Sequence, residues 1–153
     1  MKLKIKALLV LIIAVAIFQS GCTSIDEESF NADIEGYADP IAENALQAIN
    51  EKNYTKFSAD LDPTMKKAFT EEIFLKSANI VQDELGNYTS KELLDINAAE
   101  RHTVVIYQAN FEKQTDDVIL RLIFVNSDGQ VELRGIWLES SQLKKRMALE
   151  ERI

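Results

Sequence analysis

DVILRLIFVNSDGQVELRGIWLE, residues Asp117 to Glu139, places two runs of aliphatic, β-branched and aromatic residues on either side of Asp128-Gly129. Asp-Gly tolerates the positive φ angles of a type I′ turn, and such a turn joins two strands through a two-residue loop. Ser127 then opposes Gln130, and the ladder continues Phe124 to Leu133, Leu122 to Gly135 and Leu120 to Trp137. Successive side chains of a strand point to opposite faces. This face is apolar throughout, so it is predicted to meet the rest of the core. The other face pairs Val125 with Glu132, Ile123 with Arg134, Arg121 with Ile136 and Ile119 with Leu138. A one-residue slip exchanges the two faces, so everything said of either face depends on this register.

Two more strands precede the hairpin: TVVIYQANF, Thr103 to Phe111, and a weaker candidate from Tyr88 to Ile96. Upstream the period changes to helical. Asp39-Pro40 reads as an N-cap followed by Pro at the first helical position, with Ile41, Ala42, Ala45, Leu46 and Ile49 on one face. Tyr54, Phe57 and Leu61 suggest a short second helix, and Asp62-Pro63 repeats the start signal. Phe74, Ala78, Val81 and Leu85 stack at helical spacing, and Gly86 is placed to end that helix. Helices followed by strands predict an α+β fold, with N-terminal helices packed on an antiparallel sheet of about four strands. The tail from residue 140 to 153 reads as a last helix, with Leu143, Met147 and Leu149 toward the domain and Lys144-Lys145-Arg146 solvated.

The N-terminus carries a different message. Lys2, Lys4 and Lys6 precede the apolar run Ala7 to Phe18, the order of an export signal. A stable membrane span needs roughly 20 apolar residues, and this run is shorter. Gln19-Ser20-Gly21-Cys22 resembles a lipobox, at which a cysteine thiol receives a diacylglyceryl group; Gln19 departs from the usual aliphatic residue. Residues 1–21 are therefore expected to be a signal peptide, and Cys22 the lipidated residue. Residues 22–37 are expected to be an acidic tether, 38–139 the domain and 140–153 the helical tail. The expected place is the extracytoplasmic face of the cell membrane, since two acyl chains anchor stably where one does not.

The formal net charge is −8, and the signal segment removes only lysines, so the mature chain is more acidic still. Phosphate contacts need clustered Lys and Arg, so nucleic acid is excluded as a partner. Cys22 is the only cysteine, which leaves no disulfide framework, no thiol nucleophile and no cysteine zinc site once it is lipidated. The mixed face of the hairpin, with Arg121, Glu132 and Arg134 among aliphatics, admits three readings. It is a half-covered sheet with its charges at the rim, an interface for a homodimer, or a ligand site.

The blocks YTKFSADLDPTMKKAFTEEIF, LGNYTSKEL, TVVIYQANFEK and DGQVELRGIWL, in this order and spacing, resemble the family called domain of unknown function 3887. The resemblance covers most of residues 41–139. It implies a cystatin-like, nuclear-transport-factor-2-like fold, in which helices wrap a curved antiparallel sheet to form a cone able to hold a pocket. It also implies a secreted or lipid-anchored protein of a bacterium or archaeon. Some relatives continue into an α/β-hydrolase domain. No Gly-x-Ser-x-Gly elbow occurs here, so that activity is not carried over. The family supplies no catalytic residues.

The chain's own chemistry is sparse. His102 is the only histidine and sits at a strand start beside Arg101. Asp116-Asp117, Glu71-Glu72 and Glu150-Glu151 are sequence neighbours whose side chains diverge, so they read as solvated charges. No metal or cofactor site is expected. Tyr107, Phe124 and Trp137 are the candidates for lining a cavity, or else are plain core. Asn53 and Asn87 each open an Asn-Tyr-Thr sequon, a glycosylation acceptor in an organism with that machinery. The expected function is a membrane-anchored, non-catalytic binding module for an envelope protein or small ligand. The alternatives are a small cone-fold enzyme of isomerase or hydrolase type, which needs a buried carboxylate or His at the cavity, and an accessory domain to a separately encoded hydrolase.

Overall fold

A computed structural model of the chain describes residues 27–99, 102–127 and 130–150. The export segment, Cys22 and the turn residues Asp128-Gly129 lie outside the described residues. The chain divides into two units, Met1–Phe30 and Asn31–Ile153, and the core described below is that of the second.

Among the described residues the helices are α1 Glu27–Glu51, α2 Tyr54–Ser58, α3 Pro63–Ala68, α4 Glu71–Leu85 and α5 Ser141–Glu150. Between α4 and α5 run β1 Tyr88–Ala98, β2 His102–Phe111, β3 Val118–Ser127 and β4 Gln130–Glu139. The strands form one antiparallel meander in the order β1-β2-β3-β4. The fold is α+β, with the helices in the order the sequence predicted, the last one at the C-terminal end included.

The first helix differs from expectation. It does not begin at Asp39-Pro40 but at Glu27, with Pro40 inside it. Residues 27–37, expected as tether, are thus helical. An interior proline forfeits one helical hydrogen bond and costs ~3 kcal/mol. The offset is visible in burial: Ile34, Ala38, Ala42, Ala45, Leu46 and Ile49 form one helical stripe that runs through the proline, each almost wholly buried.

The short helices are held by their caps. Asn53 Oδ1 accepts from Lys56 N at 3.0 Å, and Asp62 Oδ1 from Met65 N at 2.6 Å, with Pro63 at the first helical position. Thr70 caps α4, where Glu71 and Glu72 lie at the positive end of the helix dipole. Gly86 ends α4 at φ 77°, ψ −157°, a conformation essentially reserved for glycine.

Tyr107, Leu120, Leu122, Phe124 and Leu133 on the inner sheet face meet Leu46, Phe74 and Leu85 from the helices, all fully or almost fully buried. Tyr37 packs edge-on against Phe124 with centroids 5.1 Å apart, and Phe57 against Phe74 at 4.6 Å.

The hairpin register follows the sequence only as far as Phe124↔Leu133. Beyond it Ile123 pairs with Gly135, Leu122 with Ile136, Arg121 with Trp137 and Leu120 with Leu138. Arg134 is the extra residue of a β-bulge, and side-chain alternation is offset by one position past it. Trp137, predicted opposite Leu120 on the core face, therefore lies on the outer face opposite Arg121 and is 48% exposed. The bulge has a visible cause. Leu133 is bonded on its free side by Asp62 N→Leu133 O at 2.9 Å and Leu133 N→Asp60 O at 3.1 Å, a short parallel bridge. The displaced Arg134 then turns its Nε to Asp62 Oδ2 at 2.7 Å.

Candidate functional site: an apolar groove beside β4

A cavity of about 620 Å³ lies between α4, α5 and β4. Helix α4 supplies Ile73, Phe74, Lys76, Ser77, Ala78, Ile80 and Val81, and α5 supplies Leu143 and Met147. Phe57 and Phe69 close the end near α2 and α3, Ile49 and Leu120 reach it from the core, and Ile136, Trp137 and Leu138 form the sheet side. Of these residues only Lys76 and Ser77 are polar, and no carboxylate or imidazole is among them. The volume is in the range of small-ligand pockets.

The local sequence explains the opening. Helix α4 buries Phe74, Ala78, Val81 and Leu85 on the sheet. Ile73, Ser77 and Ile80 lie beside that stripe, one helical step toward β4. Helix α5 is tied at its start to the far end of α4 and to the β2–β3 turn. Ser141 N donates to Asp116 Oδ2 at 2.6 Å, and Gln142 Nε2 to Glu84 O at 3.2 Å. The bonds from Ser141, first through its side chain and then its backbone, hold the Asp116 carboxyl below its usual range. Leu143 is buried, whereas Met147 one turn later is 57% exposed, so α5 covers one end of the groove and leaves its mouth open.

The residues singled out in the sequence are dispersed. Tyr107 and Phe124 are fully buried core and do not border the groove; Trp137 does. Burial, with Asp39 and Glu35 next in weight, pushes the Tyr107 phenol well above its usual pKa, and its hydroxyl has no hydrogen-bond partner among the described residues. Arg121 pairs with Glu139 at 3.3 Å, Arg134 with Asp62, and Glu132 stands opposite Val125, so the three do not converge. Asn53 and Asn87 are exposed. The first caps α2, and the second donates to Glu112 Oε2 at 3.2 Å. His102 is exposed at the start of β2.

Sequence reasoning missed two features. One is the buried ion pair of Asp62, a residue read in the sequence only as a helix start: its side chain is fully buried although its partner Arg134 is 54% exposed. Burial alone would raise its pKa. The hydrogen bond from Met65 N and the Arg134 guanidinium outweigh that and hold the carboxyl below its ordinary value. The other is Lys91, with its side chain 7% exposed on the inner side of β1. It pairs with Asp39 and lies 3.6 Å from Glu43, which also accepts from Tyr88 Oη at 2.6 Å. Burial first, and then Glu43, raise the Tyr88 pKa well above its usual value. Among the described residues no cluster of His, Cys, Asp and Glu could hold a metal ion. No helix among them is long and apolar enough to cross a membrane.

The molecule is thus a small α+β domain, with helices on one face of an antiparallel meander and an apolar groove beside the last strand. Residues 42–135 match the family described as protein of unknown function (DUF3887), and the chain belongs to that family. It is also similar to the crystal structure of a domain of unknown function with a cystatin-like fold from Nostoc punctiforme PCC 73102. There the identity is 12%, the match covers 84% of this chain and 86% of that one, and the TM-score is 0.43. None of the curated proteins compared with the chain matches it.

Proposed function

We propose that the protein is a non-catalytic binding domain, held at the extracytoplasmic face of the membrane through a lipidated Cys22, and that the groove between α4, α5 and β4 is its binding site. The observation that carries the second part is the lining. An enzyme of the cone-fold type needs an acid or base facing the cavity. Here the walls offer aliphatic and aromatic side chains, one lysine and one serine. Such a surface supplies apolar burial and shape rather than proton transfer. The first part rests on the leader and the Gly21-Cys22 junction.

The two parts are tested separately. Mass spectrometry of the membrane fraction should find an N-terminal diacylglyceryl cysteine at position 22; an unmodified thiol behind an intact leader would remove the anchor. For the groove, the protein is extracted gently from its own membrane and weighed under native conditions, beside the variant Ile73→Glu. Ile73 is at the rim and 43% exposed, so the change leaves the core intact. A bound mass retained by the wild type and lost in the variant is the expected result. Identical spectra would count against the groove as the site.

A further inference from the structure

The geometry points to an extended apolar peptide as the occupant of this groove, hydrogen-bonded as an added strand along the free edge of β4 from Gly135 to Glu139. The inference rests on the groove being the binding site and names what it takes.

Ile136, Trp137 and Leu138 are consecutive, and all three border the groove. Alternate residues of a strand point to opposite faces, so a wall made of three in succession is the strand's edge. Trp137 confirms this. Its indole occupies the space where a Cβ on Gly135 would stand, which places the ring on the outer face with Gly135. What β4 turns to the groove is therefore main chain together with the side chains of Ile136 and Leu138. In an antiparallel pair, alternate residues direct N–H and C=O away from the neighbouring strand. Among the described residues no hydrogen bond is made to the main chain of Ile136, Trp137 or Leu138 outside the ladder with β3.

The same edge already accepts a strand farther up. Asp60 to Asp62 pairs in parallel with Leu133 through two main-chain bonds of 3.1 and 2.9 Å. An added peptide continues that pairing past the bulge. The five residues from Gly135 to Glu139 extend about 17 Å, enough to pair with a peptide of similar length. Every second side chain of the peptide would fall between β4 and α4, against Ile73, Ile80 and Met147, where the walls are apolar. A fatty acyl chain would fill the same volume but would strip water from the strand-edge amides and carbonyls without replacing it, which is costly. A peptide satisfies them, the mode known as β-augmentation.

The test uses the full purified protein in detergent and three probes. These are a fluorescein-labelled eight-residue peptide of alternating valine and threonine, the same peptide N-methylated at every amide, and hexadecanoate. The expected result is saturable anisotropy with the first peptide and at least ten-fold weaker binding of the methylated one. Binding should also be lost in Ile73→Glu, and hydrogen exchange slowed at the amides of residues 135–139. Equal binding of the methylated peptide, or no slowing at 135–139, overturns the inference. Hexadecanoate binding that Ile73→Glu abolishes, with no peptide binding, also overturns it but leaves the groove as a site. Binding of neither probe, with no bound mass in the native spectra, removes both.

Discussion

The two edges of the sheet are built in opposite ways. Edge strand β1 is broken by two irregularities, at Thr89 and Leu94, and its inward-facing Lys91 is tied to the α1 carboxylates Asp39 and Glu43. Bulges and inward charges are the usual means of making an edge unfit for pairing. Edge strand β4 carries one bulge, accepts a short parallel bridge at Leu133, and then runs on beside an apolar groove. At β1 the buried ion is the cation and its partners are the more exposed. At β4 the buried ion is the carboxylate of Asp62, and Arg134 is the exposed partner. The fold closes one side of its sheet and leaves a usable edge on the other.

The largest effect should come from the device that interrupts the open edge. Asp62→Ala removes the α3 cap and a charge-assisted bond to Arg134, and it should cost about 3 kcal/mol in urea unfolding. A loss below about 1 kcal/mol would show that the bridge at Leu133 holds without it. The lowered Asp62 pKa also makes a signed prediction. The stability it contributes is complete above the unfolded-state value near 3.9 and is lost as pH falls through the lower folded-state value. In Arg134→Met the guanidinium is gone and burial prevails, so the acid loss should begin at higher pH than in the wild type. Coincident pH profiles would mean that Met65 N alone stabilises the carboxylate.

Second in size is the entry to the closed edge. Gly86 leads into β1 at a φ of 77°, and a Cβ there would come within 3.1 Å of both Glu112 Cβ and Lys113 Cγ. Gly86→Ala should cost about 2 kcal/mol, read as a lowered midpoint at unchanged m-value. No loss would mean that the α4–β1 junction relaxes freely.

Much of this was legible from the residues, and the failures share a cause. Alternation in Val118–Ser127 and the Asp-Gly pair predicted the strands and the register at the hairpin's tip, because both are local properties. The register failed at Arg134 because the bulge is imposed from outside the hairpin, by Asp60 and Asp62 bonding to Leu133. A residue more than seventy positions away leaves no trace in the pattern of β4. Pro40 misled in the same way: its local penalty is real, but Ile34 and Ala38 gain more by tertiary burial. The groove was invisible because it is a space left between α4, α5 and a strand edge. Ile73 and Ile80 read only as residues flanking a core stripe. Trp137 borders the groove by its place on the strand edge, opposite Arg121 and not opposite Leu120 as its predicted pairing had it.

Gly135 offers a milder probe of the open edge. Its missing Cβ makes room for the Trp137 ring on the outer face. Gly135→Ala should displace that ring at a cost of about 1 kcal/mol, within the usual range for a single substitution. Trp137 is the only tryptophan, so the displacement should appear as a shift of emission to longer wavelength. An unchanged spectrum would mean the ring does not rest on Gly135, and the assignment of the groove wall to the strand edge would lose its support.

The smallest expected effect is at the closed edge. Lys91→Met removes a nearly buried cation and keeps most of its volume. Replacing a buried ion by an apolar residue of similar shape is often close to neutral, because the desolvation cost disappears with the ion pair. Asp39 and Glu43 remain 48% and 39% exposed, so neither is left as an uncompensated buried charge, and Glu43 keeps the Tyr88 hydroxyl. Stability should therefore change by less than about 1 kcal/mol. What should change is the edge itself. Without an inward charge β1 loses one of its defences against pairing, so the variant should self-associate at concentrations where the wild type does not, as read by sedimentation velocity. A stable variant with unchanged association would leave the bulges at Thr89 and Leu94 as the sole guard of that edge. A loss above about 2 kcal/mol would instead make Lys91 a structural tie between α1 and β1, and the contrast between the two edges would then be one of strength rather than of access.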